Sequence, residues 1–142
     1  MSRRDDFEAM IHKIQESINK KEENTYSATV IKHYQDPTHF KPLAHPTHTG
    51  SIKGPCGDTI RIQLEIKEDT IQDAGFWTDG CGASIACGDM LCSLILHKTI
   101  TEAQRITPKE LQTALDGLPS DHIHCSILAV NTLRATLNDS RV

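Results

Sequence analysis

Apolar and polar residues alternate strictly over residues 60–67, which is the period of a strand with one face on a core and the other in water. A shorter strand is predicted at 51–53, and a third at 70–78 after a turn at Glu68 and Asp69. Such an antiparallel meander must cover its apolar face with helices. The predicted inward positions of the central strand are Ile60, Ile62, Leu64 and Ile66.

Helical periodicity precedes this sheet. Residues 1–24 predict an amphipathic helix followed by a charged break, docked on the domain, docked on a second copy, or free to bind a partner. A second helix is predicted from Ser27 as N-cap, and it should end before Asp36 because the residue preceding Pro37 disfavours helical geometry.

Helices also follow the sheet. They are predicted at 83–97 and 101–106, then from a capping box of Thr107 and Glu110 with proline at the first helical position, ending at Gly117 as the C′ residue. The last helix is predicted from 121 or 122 through 138. Its predicted apolar stripe is Ile123, Ile127, Val130, Leu133 and Leu137.

The fold class is therefore α+β: a three-stranded antiparallel sheet packed by C-terminal helices, with an extra N-terminal helix. At 142 residues the chain suits one domain, divided here into an N-terminal extension at 1–24 and the domain at 25–142. Between helix and sheet, residues 36–50 carry three prolines with His39, His45 and His48. Proline-broken backbone does not align these histidines, so a surface loop is predicted rather than a metal site.

The net charge of −4 is too balanced to predict binding to nucleic acid or to a membrane surface. No apolar run approaches the roughly 20 residues of a membrane span, and no leader sequence is visible, so a cytoplasmic protein is expected. In a reducing compartment its five cysteines are expected to act as ligands, nucleophiles or core residues rather than as disulfides.

The position of each cysteine around the predicted 83–97 helix distinguishes core cysteines from a candidate for the site. Cys87 falls on the apolar stripe of the 83–97 helix and Cys92 on a second packing face, so both are predicted to be core residues. Cys81 lies between two glycines at the start of that helix, where the macrodipole favours a thiolate.

Cys56 and Cys125 share this kind of setting. Cys56 lies in a glycine-rich turn with Asp58 two residues on, and Cys125 lies in the first turn of the last helix beside His124. Together with Cys81 these residues predict a site for Zn, or for iron with sulfide. The absence of a Cys-x-x-Cys pair argues against a zinc finger, and the hard Asp58 carboxylate would make the site release its cargo. The alternative is three unrelated buried cysteines beside a surface aspartate and a surface histidine.

On these residues the chain resembles the IscU/NifU N-terminal family of iron–sulfur cluster assembly scaffolds. The likeness runs from Tyr26 to the C-terminus, and its motifs follow in the family's order. They are Tyr26-Ser27 with His33-Tyr34 and Pro37, Gly54 with Cys56-Gly57-Asp58, Gly80-Cys81-Gly82-Ala83-Ser84-Ile85-Ala86, and Ile123-His124-Cys125-Ser126-Ile127-Leu128-Ala129.

The resemblance implies a scaffold without turnover, on which a transient 2Fe–2S cluster forms and from which it passes to apo-proteins. Its implied partners are a cysteine desulfurase, iron and electron donors, and apo iron–sulfur acceptor proteins. It implies that Cys56, Cys81 and Cys125 are the cluster cysteines and that Cys125 accepts the persulfide. Asp58 and His124 match the auxiliary ligand positions, either of which could be the fourth ligand, and the resemblance also implies Zn in the isolated protein.

The sequence departs from two patterns within the family, and these departures bear on the chaperone partner and on the branch of the family. Members served by a dedicated Hsp70 chaperone carry Leu-Pro-Pro-Val-Lys before the His-Cys pair, whereas this chain has Leu-Pro-Ser-Asp-His at 118–122, so that chaperone is not expected. The SufU branch has an insertion and lacks the histidine that this chain retains as His124. Two further readings stay open: a Zn-containing, SufU-like sulfur relay, and a Zn-stabilised interaction domain.

Overall fold

The computed structural model describes residues 26–55 and 57–139. The N-terminal helix expected within 1–24, the domain boundary beside it, and Cys56 all lie outside these ranges. The elements in chain order are α1 (Ala28–Gln35), β1 (His48–Lys53), β2 (Thr59–Lys67), β3 (Thr70–Thr78), α2 (Gly82–Ile95), α3 (Ile100–Gln104), α4 (Pro108–Ala114), a short 3-10 turn (Ser120–His122) and α5 (Ile123–Leu137).

The sheet confirms the prediction from alternation. Its order is β1-β2-β3 with both pairs antiparallel, and Ile62 faces Phe76 across β2 and β3. Ile60, Ile62 and Leu64 are fully buried, whereas Arg61 between them is exposed. The turn at Glu68 and Asp69 gives both residues positive φ, as a two-residue hairpin turn requires. The α+β class predicted from the sequence is confirmed.

The loop before the sheet is less exposed than predicted. His48 begins β1, three residues earlier than the strand predicted at 51–53, and only 8% of its surface is accessible. His39 is equally buried: its backbone N–H donates to the carboxylate of Asp89, and its ring contacts Ser93. The surface-loop prediction was therefore wrong for these two histidines and agrees with the exposed His45. Proline spacing predicts irregular backbone, but it does not reveal which side chains fold inward.

Most helix ends follow their sequence signals. Ser27 caps α1 by accepting a hydrogen bond from Val30, as predicted. Thr107 caps α4 with proline at its start, but the predicted box is only half formed, since the Glu110 carboxylate accepts from the Thr107 hydroxyl instead of from a backbone N–H.

The other α4 predictions also need correction. A complete capping box is formed by Thr99 and Glu102 at the start of α3. Helix α4 ends one residue earlier than predicted, so that Asp116 is the C′ residue with φ 60°. Gly117 follows it and donates to the carbonyl of Gln112, which closes a Schellman motif.

Helix α2 crosses the sheet as the centre of the core. Cys87 and Cys92 have no accessible surface, which confirms that both are core residues. Burial raises the pKa of both thiols, so neither ionises at neutral pH. Gly88 lets α2 approach the sheet closely, because a Cβ at this position would lie 2.5 Å from the Phe76 ring.

Helix α5 buries part of the stripe predicted for it: Val130, Leu133 and Leu137 are buried, whereas Ile123 and Ile127 are 36% and 44% exposed. The helix packs on β1, β2 and α2 through its buried face. That face includes Thr132 and Thr136, whose hydroxyls donate to carbonyls one turn earlier and are thereby satisfied within the core. Hydrophobic periodicity counts threonine as polar, so the predicted stripe left out the buried threonines and took in two isoleucines that are exposed. Within the described ranges, no helix is long and apolar enough to cross a membrane.

Candidate metal and cluster site

The turn that carries Cys81 is fixed by hydrogen bonds at the end of β3. Asp79 accepts from the backbone N–H of Thr59, and the hydroxyl of Thr78 accepts from the N–H of Gly80. Cys81 is then the N-cap of α2, with extended backbone and without a side-chain capping bond. Its sulfur is therefore exposed at the positive end of the helix, where a thiolate is stabilised.

Cys125 approaches the same point from α5. The 3-10 turn delivers it into the first helical turn, where its side chain is buried. Ser84, one turn into α2, connects the two sulfurs: its hydroxyl donates to Cys125 Sγ at 3.5 Å and lies 3.9 Å from Cys81 Sγ. Two cysteines that are 44 residues apart in sequence are thus brought together, as the sequence predicted.

His122 completes a group of three ligand-type side chains. Its Nδ1 lies 3.8 Å from Cys81 Sγ, and one ligand atom each from Cys81, His122 and Cys125 fall within 4.8 Å of one another. In a tetrahedral Zn site with bonds of ~2.1–2.3 Å, ligand atoms lie roughly 3.5–3.8 Å apart. The histidine and the exposed cysteine already have this separation, so two sulfurs and an imidazole fit a borderline or soft metal.

The two thiols share one proton between them. A hydrogen bond from Cys125, helped by the N–H groups of Ser84 and Ala83, lowers the pKa of Cys81 to about 4 against the opposing effect of burial. The same pairing, together with burial, raises the pKa of the Cys125 thiol. The metal-free site at neutral pH is consequently a thiolate at Cys81 held by a thiol at Cys125.

The other predicted residues surround this group. His124 Nε2 lies 3.6 Å from Cys125 Sγ. Asp58 lies beside the glycine turn, since a Cβ on Gly80 would be 3.1 Å from a carboxylate oxygen of Asp58 and 2.6 Å from the Ser84 hydroxyl. Only glycine leaves room for that approach. Cys56 lies outside the described residues, so its ligand role stays a prediction.

His122 is the site residue that was missed. Its signal was available, because His122 and Cys125 are three residues apart, the spacing that puts two side chains on one helical face. The prediction took His124 because it is next to Cys125 in sequence. Neighbours in sequence point about 100° apart around a helix, whereas residues three apart are nearly aligned.

Known proteins resemble this chain in sequence and in fold. A family model described as the NifU-like N terminal domain matches residues 25–141. The chain belongs to this NifU-like family. Among its relatives, the iron-sulfur cluster assembly scaffold protein IscU 1 of Archaeoglobus fulgidus is 37% identical over 115 residues, covering 80% of this chain and 75% of that protein. The scaffold protein IscU of Escherichia coli strain K12 is 34% identical over 119 residues, covering 80% of this chain and 92% of its own length.

Solved structures share the NifU-like fold. An iron-sulfur cluster assembly scaffold protein for the SUF system from Fervidobacterium islandicum superposes with a TM-score of 0.66 at 18% identity, covering 80% of this chain and 96% of that one. The N-terminal part of a NifU-like protein from Brucella abortus superposes with a TM-score of 0.61 at 12% identity, covering 78% of this chain and 90% of that one. At these identities the likeness concerns the fold alone.

Proposed function

We propose that this NifU-like protein is a scaffold on which a 2Fe–2S cluster is assembled from desulfurase-derived sulfur and iron and from which it passes to apo-proteins. The observation that carries the proposal is the convergence of Cys81, His122 and Cys125 on one point at the end of α2. The relatives that carry the name of assembly scaffolds, at 34–37% identity over four-fifths of the chain, support it.

The proposed chemistry begins with sulfur. A scaffold thiolate attacks the outer sulfur of the desulfurase persulfide, a new S–S bond forms, and the desulfurase cysteine leaves as thiolate. Two electrons from an electron donor then reduce the transferred sulfur to sulfide, which combines with iron. We propose Cys125 as the residue that holds the persulfide. Its side chain is buried whereas Cys81 is exposed and ionised, so we propose that sulfur reaches Cys125 by way of Cys81.

We propose Cys56, Cys81 and Cys125 as the cluster cysteines, with Asp58 and His124 as auxiliary ligands. Three thiolates with a carboxylate or an imidazole hold a cluster less firmly than four thiolates, because the hard oxygen donor matches iron–sulfide chemistry poorly. Weak retention is what a protein that hands its cluster on requires. The role includes no turnover of its own.

The other parts of the proposal concern the setting of this chemistry. We propose residues 25–142 as the scaffold domain, with 1–24 as a helical extension that docks on it or on a second copy. The proposed partners are a cysteine desulfurase, iron and electron donors, and apo-proteins, without a dedicated Hsp70 chaperone. The proposed compartment is the cytoplasm.

The same donor set supports a second candidate. Two cysteines and an imidazole are ordinary ligands of Zn. A Zn-loaded protein of this kind would accept sulfur from the desulfurase and relay it without building a cluster. A purely structural Zn ion is the remaining alternative, and in that case a chelator would unfold the protein, because such an ion contributes folding energy outright.

Anaerobic reconstitution separates these candidates. The protein is mixed with a cysteine desulfurase, cysteine and ferrous iron, and its visible spectrum is followed. The scaffold predicts the chromophore of a 2Fe–2S cluster on the wild-type protein and none on Cys81→Ser. A colourless protein that still raises desulfurase turnover would contradict the scaffold and favour the relay. Cys92→Ala, a change in the core away from the site, is the control that should still form the chromophore.

Asp58→Ala should lengthen the lifetime of the assembled cluster. The carboxylate beside the Gly80 turn is the hard donor of the set, and its removal leaves sulfur and nitrogen ligands. We expect loss of the visible chromophore in the presence of a chelator to slow severalfold. Asp69→Asn removes an exposed carboxylate from the turn between β2 and β3, at the other end of the sheet, and is the control. An unchanged or shorter lifetime for Asp58→Ala would show that Asp58 does not limit retention.

A further inference from the structure

The two ring nitrogens of His122 face different partners. Nδ1 faces Cys81 Sγ at 3.8 Å, whereas Nε2 lies 3.1 Å from the hydroxyl of Tyr26 and 3.8 Å from a carboxylate oxygen of Asp121. The side chain is 23% exposed, so the ring stands at the edge of the site rather than free in solvent. One nitrogen therefore faces the sulfur group while oxygen atoms hold the other.

This is the arrangement of a metal-ligating histidine. Such a histidine donates the N–H of its other ring nitrogen to an oxygen, which fixes the tautomer and the ring orientation. When Nε2 carries the hydrogen and donates it to Tyr26, the lone pair of Nδ1 is directed toward Cys81. A tyrosine hydroxyl both donates and accepts hydrogen bonds, so it can also hold the opposite tautomer in the metal-free protein.

Tyr26 is itself held in place. Its ring lies 5.3 Å from the His122 ring, centroid to centroid, and 6.2 Å from the ring of Tyr34 in an edge-on contact. Tyr34 in turn packs over Gly82, where a Cβ would lie 3.1 Å from its ring, directly beside Cys81. A cluster of three rings in edge-on and tilted contacts thus joins α1 to both the imidazole and the cysteine turn.

His124 is placed differently. It is adjacent to Cys125 and its ring stacks on His122 at 6.4 Å, but among the described residues the group of ligand atoms within 4.8 Å contains His122 rather than His124. His122 is thus the histidine whose ring nitrogen groups with both sulfurs, which is the placement that a ligand to a metal ion between them requires.

We propose that His122 Nδ1, together with Cys81 and Cys125, ligates a single Zn ion, and that Tyr26 is the positioning residue that holds the imidazole for it. This rests on the proposed function because it concerns the same site, but it makes a separate claim about the mononuclear state. Two thiolates and a neutral imidazole balance the charge of Zn²⁺, which suits a site that is partly withdrawn from water. A fourth donor completes the tetrahedron.

Metal titration of the full chain tests the proposal. Co²⁺ is added to the metal-free protein as the spectroscopic probe, the sulfur-to-cobalt and d–d bands are recorded, and Zn²⁺ then competes for the site. His122→Ala should lower Zn affinity by at least the roughly 10–100-fold that loss of an outer-shell partner costs, and it should shift the d–d bands. Tyr26→Phe, which keeps the ring, should lower Zn affinity about tenfold. The double variant should be no weaker than His122→Ala, because the hydroxyl acts through the imidazole.

His45→Ala, in an exposed loop position, is the control and should leave the titration unchanged. The proposal is overturned if His122→Ala keeps wild-type affinity and spectrum, or if Tyr26→Phe weakens Zn equally with and without His122. The anaerobic cluster reconstitution is also carried out on the same variants, and its chromophore is a separate measurement from Zn affinity. A wild-type protein that forms no cluster while His122→Ala loses Zn would end the proposed function and leave this inference standing. A wild-type protein that forms the cluster while His122→Ala keeps wild-type Zn affinity would end only the inference about His122.

Discussion

Cys81 of the metal-free protein should react with dithiodipyridine at a rate that hardly changes between pH 5 and pH 8. The hydrogen bond from Cys125 and the N–H groups at the start of α2 lower its pKa to about 4, so the thiolate is already the main form at pH 5. An ordinary thiol with a pKa of ~8.5 gains about tenfold in rate for each pH unit over this range.

Two opposing effects set the size of the difference. At pH 5 the thiolate fraction of Cys81 exceeds that of an ordinary thiol by roughly 3,000-fold, whereas its lower basicity reduces the reactivity of each thiolate by about 100-fold. Cys81 should therefore react about 30-fold faster than glutathione at pH 5 and fall behind it above about pH 6.5, where about 1% of the ordinary thiol is ionised. The reaction would lose speed only as the pH falls through about 4, where the thiolate takes up its proton.

Two variants show which cysteine reacts and what lowers its pKa. In a Cys56→Ser background, Cys81→Ser should lose the fast phase, since Cys87 and Cys92 are fully buried and un-ionised. Cys125→Ala removes the hydrogen bond that contributes most to the low pKa of Cys81, and the pH–rate profile should regain a slope between pH 5 and pH 7. A wild-type rate that rises tenfold per pH unit would contradict the thiolate–thiol pair.

Asp89→Ala should destabilise the domain by about 3 kcal/mol. Asp89 is 1% exposed on α2, and its two carboxylate oxygens contact His33 Nδ1 at 2.6 Å and the backbone N–H of His39 at 2.8 Å. Alanine leaves a buried N–H without an acceptor and breaks the tie between α1 and α2. In urea the midpoint should fall by about 1.5 M for an m-value of about 2 kcal/mol/M.

Matched substitutions separate the carboxylate from the rest of its surroundings. Asp89→Asn keeps an oxygen for the His39 N–H, and we expect it to cost about 1 kcal/mol. Ser93→Ala removes the 3.2 Å contact with the His39 ring and the hydroxyl's bond to the carbonyl of Asp89, but it leaves the carboxylate in place and should cost less than about 1 kcal/mol. If Asp89→Ala unfolded at the same urea concentration as Ser93→Ala, the carboxylate would not be what joins the two helices.

The sheet and the fate of the core cysteines could be predicted because each follows from a local period. Alternation placed Ile62 inside and Arg61 outside, and helical phase placed Cys87 in the core. Hydrophobic periodicity predicted the wrong residue where a polar side chain forms its hydrogen bond within its own helix and can therefore be buried. Thr132 bonds its own helix and is buried in place of Ile127.

The site was predictable in part for the same reason. The cysteine turn and the start of the last helix carry local signals, so the meeting of Cys81 and Cys125 followed once both were placed at helix starts. The place of Tyr26 depends on a contact with His122, 96 positions away, which no local pattern contains. The burial of His39 likewise depends on Asp89, 50 positions away.

Transfer of the assembled cluster tests the scaffold most directly. Cluster-loaded protein from the anaerobic reconstitution is purified, mixed with apo-ferredoxin in the presence of a chelator, and both proteins are followed by visible circular dichroism. We predict that the signal of holo-ferredoxin grows as that of this protein decays, and that transfer outpaces capture of iron by the chelator. A cluster that stays on this protein, or iron that goes to the chelator while ferredoxin remains apo, would contradict the account.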